Sequence, residues 1–177
     1  MRTRPAVAAA AASLAVLLTA TGASAAVSAP TSLSATAAAT CGEGSVTVTA
    51  TRSDAADAVR ISVTNKSGRA CVVDRIPTVT FGDLDGAAQP VPPAESSPYR
   101  LAAGGSAYAA VRTVDPAAEA PRTVAYLTVA GDPSHHGTRF DASSLGSPEG
   151  IKVWEPVTTL WQPTRAKADA DLAAARR

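Results

Sequence analysis

From residue 45 to 51 apolar and polar side chains alternate, Val46, Val48 and Ala50 against Thr47, Thr49 and Thr51. A period of two places the first set on one face of a β-strand and the second on the other. Residues 57–65 repeat the pattern more strongly, with Val59, Ile61 and Val63 facing a core and Arg60, Ser62 and Thr64 facing solvent. Asn65-Lys66-Ser67-Gly68 then supplies residues suited to a turn, which leads into a strand over 70–73. Residues 78–81 form the next apolar run, and a loop with glycine at each end follows over 82–86. Pro90 sits in an extended segment over 87–91 and confines it to a sheet edge. Residues 106–114 and 122–131 are the two longest later strands, with Leu127 and Val129 on the face opposite Tyr126. Residues 151–154 and 158–161 close the series.

Residues 132–150 show no clear period and are predicted to be one long loop, a natural place for function. The alanine-rich, charged stretch 163–177 reads as a tail with a short helix that is marginal on its own. Heptads, internal repeats and alternating strand-helix units are all missing from the pattern. Short strands separated by turns therefore predict an all-β fold, an immunoglobulin-like antiparallel β-sandwich over 41–162 with one disulfide.

The first forty residues follow a different pattern. Arg2 and Arg4 precede an apolar run over 6–20, and Ala23-Ser24-Ala25 has the small residues of a cleavage site. This predicts a signal peptide over 1–25, cut after Ala25, and a secreted mature chain with no membrane anchor after cleavage. Residues 26–40 are mostly Ala, Ser, Thr and Pro without charge and read as a flexible leader. Of the 41 alanines in the 177 residues, 16 lie in these forty positions, so the 46% hydrophobic content overstates the material for a core.

Charge narrows the partners. Sixteen basic and 15 acidic residues become 14 and 15 once Arg2 and Arg4 leave, too balanced to attract nucleic acid. The seven aromatic residues are too few for a base-stacking platform.

Candidate chemistry is sparse. Cys41 and Cys71 are the two cysteines, and an even count in an exported chain favours a disulfide closing a loop of 31 residues. His135 and His136 are the only histidines; their adjacency gives no three- or four-ligand zinc pattern, so no metal or other cofactor is expected. Asp83 and Asp85 lie between glycines and suit a solvated turn better than a catalytic carboxylate pair or a calcium loop. A serine triad is drawn on paper from Ser106, His135 and Asp141, yet no nucleophile-elbow motif surrounds Ser106. Asn65-Lys66-Ser67 matches a glycosylation sequon, with the turn as the preferred reading. Trp154 is assigned to the core as one of the few large side chains available to fill it. Trp161 joins His135 and His136 as a candidate ligand contact.

Several of these motifs occur together in a known family. Cys41, the strand Val59-Arg60-Ile61-Ser62-Val63-Thr64 running into Asn65-Lys66-Ser67-Gly68-Arg69-Ala70-Cys71, the proline-led Pro77-Thr78-Val79-Thr80-Phe81, and Gly105-Ser106-Ala107 opening a further strand resemble the secreted actinobacterial domain of unknown function numbered 4232. The chain differs from the family pattern at Asp74-Arg75-Ile76, where Gly-Tyr is common, and at Ala103, where proline is common. The resemblance implies a β-sandwich bridged by Cys41 and Cys71 and implies no activity.

The functional expectation is a secreted, non-enzymatic binding or interaction module whose partner is an extracellular protein or a cell-wall ligand. Two alternatives remain open: an extracellular hydrolase built on Ser106 or the loop histidines, and an inhibitor that presents residues 92–98 to extracellular proteases.

Overall fold

The strongest alternation in the sequence forms the centre of the largest sheet. In a computed structural model that describes residues 38–55 and 57–175, strand β2 (Ala58–Asn65) lies between β1 (Val46–Arg52) and β7 (Ser106–Arg112). Its register pairs Val59 with Val111, Ile61 with Ala109 and Val63 with Ala107, so the inward residues of neighbouring strands stand side by side. On its far side β7 pairs with β12 (Val157–Thr159), and β12 pairs with β5 (Gln89–Val91). The signal peptide 1–25 and the leader up to residue 37 lie outside the described residues.

A three-stranded sheet of β4 (Thr78–Phe81), β9 (Tyr126–Ala130) and β10 (Thr138–Asp141) shares one core with the five-stranded sheet. Val79, Phe81, Leu127 and Val129 from this sheet meet Val59, Ile61, Val63 and Val111 from the larger one. Two further ribbons complete the walls, β3 (Cys71–Asp74) with β6 (Pro98–Leu101), and β8 (Arg122–Val124) with β11 (Ile151–Val153). The fold is all-β and sandwich-like, with one Cys41–Cys71 disulfide at a Cα–Cα separation of 5.0 Å.

The structure differs from the sequence reading at several places, each for an identifiable reason. The β5–β12 pair is parallel, within otherwise antiparallel sheets. Nearly seventy positions separate these strands, so no hairpin constrains their direction, and Gln89 N–H is seated on the Pro156 carbonyl at 2.9 Å. The stretch 122–131 is two strands, β8 and β9, because the chain leaves one ribbon at Ala125 to enter another sheet. The 132–150 segment is only partly a loop: it holds β10, which pairs with β9, and a 3-10 turn at Ala142–Leu145. Its period was obscured because β10 is almost wholly exposed and carries no apolar alternation. Ala39 and Thr40, placed in the leader, already belong to the fold. Val72 N–H donates to Ala39 O at 3.0 Å and Cys41 N–H to Val72 O at 2.8 Å, a backbone pairing that needs no apolar side chain.

The short helix expected in the tail does form, as α1 (Arg165–Ala174), and what the sequence reading lacked is its docking on the outer face of the large sheet. Thr164 caps it by accepting from Lys167 N–H at 3.2 Å. Ala168 and Leu172 bury against Ala58 and Ala110, and the Arg60 guanidinium reaches the Asp169 carboxylate at 3.0 and 3.1 Å. A ten-residue helix is marginal in water, and this packing supplies what its length does not. The polar face of β2 is thus half covered, with Ser62 buried. Among the described residues no helix is long and apolar enough to cross a membrane.

Candidate functional site

Strand β11 buries Ile151 and Val153 and exposes Lys152 between them. Continuing that alternation by one residue turns Trp154 outward, and its exposure is 42%. Among the described residues no other large hydrophobic side chain is exposed to that degree. Its backbone is locked: Trp154 N–H donates to Thr113 O at 2.9 Å, and Asp115 N–H donates to Trp154 O at 2.9 Å. The next residue, Glu155, has φ 45°, the one positive φ outside glycine among the described residues. Such a conformation costs a residue with a Cβ on the order of 1 kcal/mol or more, and such strain tends to be kept at functional positions.

Trp154 and Glu155 border a groove of about 450 Å³. Phe81, Leu84, Val153 and Pro156 supply its apolar part. Asp85, Arg122 and Glu155 supply charge of both signs, and Gly86 and Ala87 leave the rim low. The volume lies in the range of small-ligand sites. A second cleft, of about 510 Å³, lies between the end of β1, the start of β2 and residues 145–152, with Arg52, Glu149 and Lys152 in its walls.

The two tryptophans exchange the roles read from the sequence. Trp161 is 2% exposed, packed in the main core, so it is not a ligand contact. The backbone N–H of Trp161 donates to Arg75 O at 3.0 Å, which draws the chain inward after β12. Composition alone demands one large core residue near the end of the domain and cannot say which tryptophan it is. The alternation of β11 was the signal for Trp154.

The histidines fasten a loop. His135 Nε2 lies 2.8 Å from Cys41 O, and His136 Nδ1 lies 3.4 Å from the Glu43 carboxylate with its side chain 94% exposed. Gly137 N–H donates to the other Glu43 oxygen at 2.8 Å. Gly137 has φ +83°, and a Cβ there would stand 2.9 Å from Val129 O, so only glycine fits the clasp. The hydrogen bond from Gly137, helped by the histidines, holds Glu43 below the ordinary glutamate value. Among the described residues no three His, Cys, Asp or Glu side chains gather in a way that could hold a metal ion.

Ser106, His135 and Asp141 have other partners. Ser106 Oγ pairs with Thr64 Oγ1 at 2.7 Å, His135 with Cys41, and Asp141 accepts from Arg139 Nε at 3.0 Å. Asp83 accepts the Tyr126 hydroxyl at 3.0 Å, and that bond pushes the phenol pKa up. Arg139 covers the Tyr126 ring at 3.6 Å from its centroid. Residues 92–98 stand on the surface, anchored where Ser96 Oγ donates to Asp74 and Arg75 N–H donates to Ser97 O at 2.8 Å.

A family model described as a domain of unknown function, DUF4232, matches residues 41–162, more than half of the chain. The chain belongs to the DUF4232 family. The matched span runs from the first cysteine of the bridge to the residue after Trp161, and it includes the Trp154 groove and the histidine loop of this DUF4232 chain. No curated protein matches it, and no solved structure does. Helix α1 lies just beyond the matched residues.

Proposed function

We propose that this DUF4232 chain is a secreted, non-enzymatic binding module with an immunoglobulin-like β-sandwich as its frame and the Trp154 groove as its contact surface. The observation that carries the reading is an indole 42% exposed on a backbone fixed by two hydrogen bonds, beside a ligand-sized groove. Tryptophan is enriched at binding hot spots because one rigid side chain offers a large contact area. Export is supported by the charged, apolar and small-residue succession over residues 1–25 and by the pairing of both cysteines. The partner is an extracellular protein or a cell-wall ligand.

The test is affinity capture with the secreted protein against culture supernatant and cell-wall fractions, with Trp154→Ala as control. One partner retained by wild type and lost by the variant is the expected result. Equal retention by both proteins, or none by either, refutes this contact surface.

A second reading, an inhibitor of extracellular proteases, is favoured by residues 92–98, which are exposed yet held through Ser96 and Ser97. Slowing of a trypsin-like or subtilisin-like protease that is abolished by replacing residues 93–95 would support it.

A further inference from the structure

Resting on the binding reading, we infer that the Trp154 groove is a glycan site that takes the flat, C–H-bearing face of a neutral pyranose ring in a polysaccharide. Three observations converge. An exposed aromatic face provides an apolar plane of about one sugar ring, and Trp154 offers one on a backbone held through its N–H and C=O to Thr113 and Asp115. Next to it the groove offers acceptors in Asp85 and Glu155 and a donor fork in Arg122, the mixture that hydroxyl groups, each donor and acceptor at once, can satisfy. Two carboxylates against one guanidinium leave the groove slightly negative, which disfavours an anionic sugar, so the ring it takes is a neutral one.

A protein partner fits less well. Specific protein interfaces bury roughly 800 Å² on each side around an apolar core. Here a single indole is exposed, surrounded by charged side chains. The left-handed Glu155 serves this site: the bend directly after Trp154 ends the β11 direction and leaves Glu155 and Pro156 in the groove wall.

The two tryptophans make the test internal, since Trp154 is 42% exposed and Trp161 2%. Secreted protein from full-length expression is titrated with a soluble N-acetylglucosamine oligomer and passed over insoluble chitin, cellulose and peptidoglycan, with acrylamide quenching recorded throughout. The expected result is retention on at least one polysaccharide and protection of the quenchable emission by the sugar that it contains. Trp154→Ala should weaken binding about tenfold or more, and Trp154→Phe should keep part of it. An unchanged unfolding midpoint shows that each variant is folded. Retention unaffected by Trp154→Ala overturns the inference, as does failure on all three polysaccharides with no protection. In the latter case a purified extracellular protein captured through Trp154 would leave the binding reading standing while the glycan assignment falls; absence of that capture removes both.

Discussion

The Asn65 side chain donates from Nδ2 to the Ala102 carbonyl at 3.0 Å, tying the end of β2 to the turn between β6 and β7 across 37 positions of sequence. The same nitrogen donates to Arg69 O at 2.7 Å, and Oδ1 accepts from Ser67 N–H and Ser67 Oγ at 2.9 and 2.7 Å. Asn65 is 0% exposed, and every hydrogen-bonding position of its amide is used. Asn65→Ala removes all four of these hydrogen bonds at a buried position and should cost about 2 to 4 kcal/mol in denaturant unfolding. Asn65→Asp should cost a similar amount by turning a donor into a third acceptor. The sequon should also stay unmodified in a glycosylating host, since transfer to Nδ2 would need both bonds broken; intact mass checks this.

The bridge closes residues 41–71 and holds the chain at Cys41 against β3. Replacing both cysteines by serine should lower unfolding free energy by roughly 3 to 4 kcal/mol on the loop-entropy account. Because His135 rests on the Cys41 carbonyl, amide hydrogen exchange should also quicken in residues 132–137 of that variant. Unchanged exchange there would show that the loop is held independently of the bridge, through Glu43 and the Asp132 contact with Asp74 N–H.

Glu43 gives the loop a pH dependence. Its pKa is below the ordinary 4.5 because Gly137 N–H donates to the carboxylate, with the two histidines adding attraction. A depressed folded-state value means that the clasp is fully present above the unfolded pKa and is lost as pH falls through the folded one. The Gly137 amide resonance should therefore shift and its exchange quicken on acidification below about pH 4.5. Glu43→Gln, which removes the charge and keeps an acceptor, should flatten that response.

Helix α1 rests on a small apolar patch. Leu172 is 5% exposed, and Leu172→Ala should cost about 2 kcal/mol, at the low end for a core leucine because the patch is shallow. Asp169→Ala should loosen the helix far less, because the Arg60 pair is partly solvated. Circular dichroism at 222 nm with urea unfolding separates the two.

The central strands were legible because their side chains face water on one side and the core on the other, which writes a period of two into the sequence. The inward faces of Val59, Ile61 and Val63 follow from it, while their pairing with Val111, Ala109 and Ala107 is a long-range contact. β10 was illegible because neither of its faces is buried enough to demand apolar residues. The candidate groove was half legible. The outward turn of Trp154 continues the alternation of Ile151, Lys152 and Val153, but its neighbours Leu84, Asp85 and Arg122 come from segments remote in sequence.

By itself the sequence determined the all-β class, the cysteine pairing and the buried faces of β1, β2 and β9, all of which depend on local period or on counting. Tertiary structure alone decided which tryptophan enters the core, the parallel seating of β5 on β12, the docking of α1 over Ala58 and Ala110, and the gathering of the groove. Each of these depends on contacts between segments far apart in the chain, whose relative placement no short-range pattern encodes.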